Sequence, residues 1–523
     1  MDGGWAELHP WRVDANAPTP LFRQLYLQIR EAILARVLAP AARLPSSRDL
    51  AARLGVSRTS VVSAYDQLLA EGWLTTQVGS GTRVSRDLPE PFAAPPRKPY
   101  SAPAAPSPEG LRFAPDRGQP FGPFVPTSAP SLDELPFTSG RCLMDARAQE
   151  AWRRASVRSV RAMAPVHFGY TDPRGLPDLR ATVCGYLRAA RGVRCDPDQV
   201  LVTSGTQHAI DIAVRALLKP GDEVWVEDPS YPLTYRGLLE SGLTPRPVPV
   251  DDHGIVVADG ARRAPLARAA VVTPSHQYPT GAVLSMARRL ELLEWARRTG
   301  AWIVEDDYDS ELRYRGRPLA SLQGLDDHGR VIYVGTLNKV LFPGLRIGFA
   351  VVPRAVLGAF VNARHVSDRQ APTLSQTVLA DFMREGHLTT HFRRMRQMCR
   401  QAQEALVAEL ISRIPDGRVQ IRRPDQGNHL VAWLPDGVDD VAIEQAALAR
   451  GVVCRAISRL YLEAPPRPGL MLGFTGFAAA ELVAPAATLA DLIRARLGEA
   501  SLPGGSARPE PRRPSEASTG PLA

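Results

Sequence analysis

A proline-rich stretch divides the chain and limits its possible folds more than any other feature. Eight prolines fall between Pro89 and Pro108, in PEPFAAPPRKPYSAPAAPSPEG. Proline fixes φ and donates no backbone hydrogen bond, and apolar residues are few here, so the stretch is typical of a semi-stiff, extended linker. We therefore predict a head at residues 17–86, a linker at 87–110, a large module at 111–498 and a disordered tail at 499–523.

Composition excludes several classes of protein. A chain of 523 residues is too long for one ordinary core. No stretch approaches the roughly 18 uncharged apolar residues of a membrane helix, and MDGGWAELHP has acids where a secretory signal has basic residues. We therefore expect a cytoplasmic protein without a membrane partner. Five widely spaced cysteines predict neither a disulfide framework nor a metal site. The net charge of +9 permits contact with a polyanion without establishing it.

The head begins with an amphipathic helix, because LFRQLYLQIREAILARVL repeats apolar residues at helical spacing. The predicted buried stripe is Leu21, Leu25, Ile29, Ile33 and Leu34.

Two short helices and a turn follow in the head. Ser46 or Ser47 can cap a helix that Gly55 ends, and Ser57 can cap another that runs to about Glu71. The run WLTTQVGSGTRVS then holds two β-prone runs around a Gly-Ser-Gly turn. This is the pattern of a helix-turn-helix with a wing.

Polar residues crowd the start of the second helix of this pair, at Ser57, Arg58, Thr59 and Ser60. Arg58 can donate to guanine edges or to phosphates, and the hydroxyls and the helix N-terminus suit phosphate oxygens. We expect this end to enter the major groove of double-stranded operator DNA. The same pattern also fits a plain solvated pair of amphipathic helices.

The large module alternates strand-like and helix-like runs, which indicates an α/β domain. In VIYVGTLNKVLFPGLRIGFAVV, two apolar strands flank a loop that holds Lys339. Burying this lysine is costly unless it has a partner or loses its charge, and an imine with an aldehyde cofactor meets both conditions. Arg346, in the same loop, can hold a phosphate.

Two upstream segments complete the same chemistry. AWIVEDDYDS ends an apolar strand in acids, so that Asp306 can pair with a protonated pyridine nitrogen and Tyr308 can reach a phenolic oxygen. VLVTSGTQHAI predicts a strand, a glycine turn and a helix whose first N–H groups, at Gly205, Thr206 and Gln207, can bind a phosphate. Each segment alone also fits an ordinary structural role, whereas all three in this order indicate a pyridoxal 5'-phosphate site.

The head resembles the winged helix of the GntR family over LPSSRDLAARLGVSRTSVVSAYDQLLAEGWLTTQVGSGTRV. That resemblance implies DNA contacts at Arg48, Ser57, Arg58, Thr59 and the wing residue Gly79.

From HFGYTDPRGLPDLR to GLMLGFTGF the module is similar to fold-type I aminotransferases, and the whole arrangement resembles the MocR group of regulators. The implied fold is multidomain: a winged-helix head, then an α/β module with a mostly parallel sheet and a smaller C-terminal α/β subdomain. The resemblance implies Lys339 as the Schiff-base lysine, Asp306 as the pyridine partner and Tyr308 as the phenolic oxygen partner. The implied phosphate cup is Gly205, Thr206, Gln207, Thr336 and Arg346. It further implies that Tyr231 stacks on the ring and that Tyr170 reaches the phosphate of a neighbouring subunit in a homodimer.

Two departures weaken an enzymatic interpretation. Aminotransferases have an Asn before the PTG turn, where this chain has Tyr278, and an Arg near the C-terminus that binds the substrate carboxylate, where this chain has Met471. Neither Arg455 nor Arg459 can be assigned that function from the sequence.

Three hypotheses follow from the sequence. The first is a regulator whose affinity for operator DNA changes when pyridoxal phosphate, or an effector derived from an amine or amino acid, occupies the Lys339 site. The second is an active aminotransferase with an appended DNA-binding head. The third is a DNA-binding protein whose module has lost the cofactor and serves only for dimerisation. Retention of Lys339, Asp306 and Arg346 argues against the third, and Met471 together with the head argues against the second.

Overall fold

The structure, a computed structural model, describes residues 11–15, 17, 19–77, 81–86, 135–141, 144–316, 319–415 and 417–500. These residues form two compact units, one on each side of the proline-rich stretch. The predicted linker lies outside the described residues. So does the predicted tail beyond Ala500, where the last helix ends.

The N-terminal unit is a winged helix. Its elements are α1 (Leu21–Leu34), α2 (Ser47–Leu54), α3 (Arg58–Ala70), β1 (Leu74–Gln77) and β2 (Gly81–Val84). Ser46 caps α2, because its side chain accepts from the backbone N–H of Asp49, and Gly55 ends that helix with a left-handed φ of 65°. Ser57 caps α3 in the same way by accepting from the N–H of Ser60. The strands pair antiparallel.

The apolar face of α1 packs against α3. Leu25, Ile29 and Ile33 of the predicted stripe are buried. Leu34 was wrongly placed on that stripe, since it is 40% exposed. It lies two helical turns after the exposed Leu27, on the flank of the helix rather than on its buried face.

The second unit is larger and contains two sheets. Its helices are α4 (Ala146–Arg161), α5 (Pro177–Arg191), α6 (Thr206–Leu217), α7 (Pro232–Glu240), α8 (Val257–Arg263), α9 (Met286–Thr299), α10 (Leu322–Leu325), α11 (Leu357–Ser367), α12 (Thr373–Arg384), α13 (His387–Arg413), α14 (Asp440–Leu448) and α15 (Ala479–Ala500). Its strands are β3 (Val200–Thr203), β4 (Glu223–Asp228), β5 (Thr244–Asp251), β6 (Gly254–Ile255), β7 (Ala269–Val272), β8 (Trp302–Asp307), β9 (Val331–Thr336), β10 (Gly348–Val351), β11 (Gln420–Ile421), β12 (His429–Trp433), β13 (Arg455–Ala456) and β14 (Gly469–Gly473).

The main sheet has eight strands in the order β3-β10-β9-β8-β7-β4-β5-β6. The β9-β8-β7-β4-β5 pairs are parallel. β10 is antiparallel to both of its neighbours, so β3 runs in the same direction as β9. The mostly parallel sheet expected from the sequence is thus confirmed. Helices cover both faces, which is why these strands are almost continuously apolar.

A smaller subdomain follows α13. Its antiparallel sheet has the order β11-β12-β14-β13, and α15 packs along α13 and against α14. The expected C-terminal α/β subdomain is therefore present. Among the described helices, none is long and apolar enough to cross a membrane.

Candidate functional site

The parallel strands of the main sheet end at one edge and form a cavity there. The turn after β3, the segments after β4 and β7, the end of β8 and the loop after β9 all reach this edge. In open α/β sheets, ligands bind outside the carboxyl ends of the strands. The cavity has a volume of about 210 Å³. Its walls include six of the predicted cofactor residues: Thr206, Tyr231, Asp306, Tyr308, Thr336 and Lys339.

Asp306 forms a buried wall of the cavity near the end of β8. Its side chain is 8% exposed, and its Oδ1 has no hydrogen-bond partner among the described residues. Burial, and then the carboxylates of Asp307, Asp309 and Glu227, raise the pKa of Asp306 to about 8, whereas Lys339 lowers it. A cationic hydrogen-bond donor would stabilise the charged form of a buried carboxyl in this state. The protonated nitrogen of a pyridine ring is such a donor.

Lys339 lies in the loop after β9, between the buried Leu337 and Val340, but its own side chain is exposed at the cavity. The loop is fastened by its neighbour Asn338, which donates its backbone N–H to Thr336 Oγ1 (3.1 Å) and accepts from the N–H of Ile347 (2.9 Å). The sequence suggested burial of this lysine. The structure instead presents it to a cavity whose wall contains buried acids, where an aldehyde can reach it.

Three residues of the predicted phosphate cup, Gly205, Thr206 and Gln207, lie at the start of α6. Gly205 caps this helix with φ 128°, a conformation that favours glycine. A side chain at Gly205 would meet Asn338 Nδ2 at 2.9 Å and Arg346 Nη2 at 3.6 Å, so the guanidinium of Arg346 lies against this helix end. Arg346 holds a left-handed φ of 52°. The cation and the helix N-terminus together suit a phosphate.

Three residues of the predicted phosphate cup, Gly205, Gln207 and Arg346, are not among the described residues that line the cavity. Gly205 directly precedes Thr206, which lines the cavity, and Arg346 lies beside Gly205. The side chain of Gln207 turns away and donates to the carbonyl of Leu233 (3.3 Å). Only the backbone N–H of Gln207 remains as a candidate phosphate contact, as the sequence suggested.

Two tyrosines border the cavity. Tyr231, just before α7, contacts Tyr278 edge to face with ring centroids 5.0 Å apart. The hydroxyl oxygen of Tyr308 lies 3.2 Å from Nδ1 of His276. That nitrogen also lies 3.0 Å from Oδ2 of Asp309. Burial raises the pKa of Tyr308 well above its ordinary value, so this hydroxyl keeps its proton and can donate it to a ligand oxygen.

Sequence reasoning missed several cavity residues. Glu227, at the end of β4, accepts from the N–H and hydroxyl of Thr273, and burial raises its pKa to about 7. The sequence did offer a signal for Glu227: the apolar run VWV comes directly before EDP, just as the apolar run IV comes before the EDD that contains Asp306. Arg455, which was named in the sequence but could not be assigned, also lines the cavity and donates to the hydroxyl of Tyr278 (2.9 Å). Its position depends on how the small subdomain folds, and a short sequence motif does not predict that.

Arg455 and Arg459 differ in the residues that surround them. Arg455, in β13, is the direct antiparallel partner of Met471 in β14. Arg459 pairs with Glu444 at 3.3 Å, with its side chain 53% exposed, and it is absent from the described cavity wall.

The predicted DNA-binding residues that the structure describes lie on α2 and at the start of α3. Arg48, Ser57, Arg58 and Thr59 are exposed, and Ser60 is half-buried. Arg58 Nε lies 3.5 Å from Ser47 Oγ, at the limit of a hydrogen bond. Gly79 lies outside the described residues. Arg43, which the sequence reasoning omitted, is exposed beside the wing residue Gly81, whose added Cβ would lie 3.4 Å from Arg43 Nε.

The residues that line the cavity and those beside it fit pyridoxal phosphate. Its ring nitrogen, aldehyde and phosphate require an acceptor, an amine and a cationic donor. The chain offers a buried carboxyl oxygen that has no hydrogen bond from any described residue, a lysine, and an arginine beside a helix N-terminus. No group of three or more His, Cys, Asp or Glu in the described part of the chain could hold a metal ion.

Known proteins share both units. The chain matches the family described as aminotransferase class I and II over residues 133–469 and the gntR family of bacterial regulatory proteins over residues 21–84. It is 41% identical to the probable rhizopine catabolism regulatory protein MocR of Rhizobium meliloti, over 89% of this chain and 92% of that protein. It is 33% identical to the HTH-type pyridoxine biosynthesis transcriptional regulator PdxR of Corynebacterium glutamicum, over 89% and 94% of the two chains.

A solved structure resembles the module. The α-aminoadipate aminotransferase LysN of Thermus thermophilus, complexed with N-(5'-phosphopyridoxyl)-L-leucine, has a TM-score of 0.63 and 27% identity, over 70% of this chain and 94% of that chain. Fold-type I aminotransferases depend on pyridoxal phosphate. The fold, the cavity and these likenesses together show that the chain belongs to the MocR-type transcriptional regulators, in which a GntR-family winged helix is joined to an aminotransferase class I and II domain.

Proposed function

We propose that this regulator binds operator DNA through its head and carries pyridoxal phosphate on Lys339. Occupancy of the cavity, by the cofactor itself or by an effector derived from an amine or amino acid, changes its affinity for DNA. The observation that carries the proposal is the buried Oδ1 of Asp306, which accepts no hydrogen bond within the described part of the chain and lies in the same cavity as Lys339. The domain bounds that we propose are 17–86, 87–110, 111–498 and 499–523.

Each polar part of the cofactor has a proposed partner in the chain. Lys339 attaches to the aldehyde, Asp306 pairs with the ring nitrogen and Tyr308 donates to the phenolic oxygen. Tyr231 covers the ring. The proposed phosphate ligands are Gly205, Thr206, Gln207, Thr336 and Arg346. The bound cofactor supplies a carbonyl group that combines reversibly with primary amines.

The proposed DNA contacts combine base recognition and phosphate binding. Arg58 stands at the N-terminus of α3, where recognition helices contact base edges. Ser57, Thr59 and Ser60 surround the same helix end, and Arg48 lies on α2. We include Gly79 of the wing on the family resemblance alone.

We further propose a homodimer formed by the large modules. A short segment before α5 exposes large apolar side chains: Val166 is 63% exposed, and Phe168 and Tyr170 are each 76% exposed. Contiguous exposed apolar groups mark interaction surfaces. Arg369 lies over the Tyr170 ring at 3.6 Å, which places a cation beside the tyrosine expected to reach a neighbour's phosphate.

Two heads in one dimer imply a bipartite operator, because tethering raises the effective concentration of the second head only when a second half-site is within reach. DNA-shift titrations should therefore show much weaker binding to one half-site than to two. Equal affinity for both probes would contradict the dimeric arrangement.

An active aminotransferase is the alternative function, favoured by the presence of both Lys339 and Asp306 in one cavity. Turnover assays with a panel of amino acids and a 2-oxo acid separate the two. Multiple turnovers at rates above one per second, in the range of ordinary enzymes, would favour the enzyme.

The cofactor claim is tested directly by colour and by trapping. Protein loaded with pyridoxal phosphate should absorb visible light, and borohydride should fix the cofactor on the peptide that contains Lys339, as measured by mass spectrometry. Lys339→Ala should abolish both. Lys219→Ala, at a surface turn after α6, is the matched control and should keep both. Wild-type protein that remains colourless after cofactor addition would refute the proposal.

A further inference from the structure

Tyr308 contacts a buried histidine and aspartate that take no part in the proposed cofactor contacts. His276, in the segment after β7, and Asp309, just after β8, are each 1% exposed. His276 Nδ1 lies 3.0 Å from Asp309 Oδ2 and 3.2 Å from the hydroxyl oxygen of Tyr308. One ring nitrogen therefore faces both a carboxylate and the phenol that lines the cavity.

The hydrogen between His276 and Asp309 can be placed from the chemistry of the two groups. The backbone N–H of Asn428 donates to the same Oδ2 of Asp309 at 3.1 Å, so this oxygen already acts as an acceptor. A carboxylate oxygen only accepts, and the hydrogen shared with His276 therefore belongs to Nδ1. The second ring nitrogen of His276, Nε2, is buried and has no hydrogen-bond partner among the described residues. A neutral ring suits this position, because burial without a partner costs more for a charged ring.

This placement determines where the hydrogen of Tyr308 can go. A ring nitrogen that carries a hydrogen is a donor and not an acceptor, so the phenol cannot donate to Nδ1 of His276. The hydrogen of Tyr308 is therefore left for an acceptor in the cavity. Without Asp309, the ring could carry its hydrogen on Nε2 instead, and Nδ1 would then compete for the phenol hydrogen.

The small subdomain holds the histidine and the aspartate in place. Gly427 has a φ of 94°, and a Cβ added there would collide with the ring of His276. Asn428 donates its N–H to Asp309, and the ring of His429 lies 4.6 Å from that of His276, measured between centroids. Three consecutive residues before and at the start of β12 thus contact the pair.

We propose that Asp309 and His276 are positioning residues that direct the hydrogen of Tyr308 toward the phenolic oxygen of the bound cofactor. This inference rests on the proposed function, which places that oxygen beside Tyr308. A hydrogen bond to the phenolic oxygen draws negative charge toward it, and the Lys339 nitrogen attached to the cofactor becomes less basic. The pair thereby sets the pH at which the visible spectrum of the loaded protein changes.

Other charged or titratable groups surround Tyr308 and His276. His429 packs against His276 from the small subdomain. Those that line the described cavity are Glu227, Tyr231, Tyr278, Asp306, Lys339 and Arg455. The variants below retain all of these residues, so a change in the spectrum can be assigned to the pair and Tyr308.

A pH titration of the visible spectrum of cofactor-loaded, full-length protein tests the proposal. Asp309→Ala should raise the midpoint by about one pH unit or more, as expected for loss of a hydrogen bond to a charged group. Tyr308→Phe should raise it by a similar amount. Asp309→Asn keeps an acceptor oxygen and should stay close to the wild type.

Two further variants separate positioning from a purely structural role. His276→Phe/Asp309→Ala removes the nitrogen that competes for the phenol hydrogen, so its midpoint should return toward the wild-type value. General loss of packing would instead make the double variant at least as different as Asp309→Ala. Asp440→Asn is the matched control, at another buried aspartate that accepts from backbone N–H groups, and should leave the midpoint unchanged.

The hydrogen placement is measured independently by ¹⁵N NMR of histidine-labelled protein, with or without cofactor. The signals of His276 are assigned by their loss in His276→Phe. Nδ1 should carry the hydrogen and Nε2 should not. The opposite arrangement would overturn the inference, and this measurement does not require that Asp309→Ala folds.

Failure of this inference differs from failure of the proposed function. A yellow, trappable wild type whose midpoint is unchanged by Asp309→Ala, or a double variant that does not return toward it, would overturn the positioning role alone. A wild type that takes up no cofactor would overturn the proposed function and this inference with it.

Discussion

Asp306, on β8, and Lys339, in the loop after β9, line one cavity, and the charge of Lys339 lowers the pKa of Asp306. Burial has the larger, opposite effect, so the carboxyl remains poorly compensated without a ligand. A pyridine nitrogen that carries a proton would satisfy Asp306, and an aldehyde would react with Lys339. The two residues are therefore complementary to two groups on opposite sides of one pyridine ring.

The raised pKa of Asp306 predicts how stability depends on pH in the cofactor-free protein. Its pKa rises from 3.8 in the reference state to about 8 in the fold. Between these values the folded state holds more protons than the unfolded state, so its free energy of unfolding falls as pH rises from about 4 to 8. One such group contributes a slope of up to about 1.4 kcal/mol per pH unit.

Asp306→Asn should make that slope shallower, because the amide does not ionise. Glu227 and Glu305, whose pKa values burial raises to about 7, remain in both proteins and keep part of the slope. Urea denaturation of cofactor-free protein at pH 5, 6, 7 and 8 measures the difference. Parallel pH profiles of the wild type and the variant would show that Asp306 is already compensated.

Arg346 is predicted to bind the cofactor phosphate. Arg346→Ala should weaken binding of pyridoxal phosphate by about ten- to a hundredfold, since hydrogen bonds to charged groups contribute roughly 1.5 to 3 kcal/mol. Binding of pyridoxal, which lacks the phosphate, should be unchanged. Arg354→Ala removes an exposed arginine paired with Asp196 and is the control. Fluorescence titration with both aldehydes checks the prediction, and equal losses for the two would refute a phosphate contact.

Much of this architecture could be predicted from the sequence because local rules determine it. The caps at Ser46 and Ser57, the glycine at residue 55 and the apolar strands before Asp306 and Lys339 each act over a few residues. Strand ends that converge at one sheet edge then bring distant motifs together. The cofactor residues could therefore be listed without knowing the strand order.

What the sequence could not locate depends on contacts between distant segments. Arg455 reaches the cavity only because β13 pairs with β14 in the small subdomain, and no motif marks a two-residue strand. Glu227 is a cavity residue because β4 lies beside β7 in the sheet order. The misplaced Leu34 is a smaller case, in which helical periodicity alone could not show where the buried face ends.

Arg58 and Arg48 are predicted to contact DNA in different ways. Loss of a bidentate base contact by Arg58→Ala should weaken operator binding by about 1 to 3 kcal/mol and relax sequence preference. Loss of a phosphate contact by Arg48→Ala should weaken all sequences alike and flatten the salt dependence.

Fluorescence anisotropy with operator and scrambled DNA at several salt concentrations separates these effects. Arg53→Ala, on the same short helix as Arg48, is the control. Unchanged binding by both the Arg58 and the Arg48 variants would refute the proposed docking of the head.

Occupancy of the Lys339 cavity is proposed to change the affinity of the protein for operator DNA. The most direct test measures operator affinity of the full-length protein, cofactor-free and loaded with pyridoxal phosphate, with and without the amino acid that changes its spectrum most. A ligand can shift a two-state equilibrium only by its differential affinity for the two states. We predict a change of at least about tenfold between two of these states in the wild type, and none in Lys339→Ala. Equal operator affinity in every state of a wild type that demonstrably carries cofactor would show that the cavity does not control DNA binding.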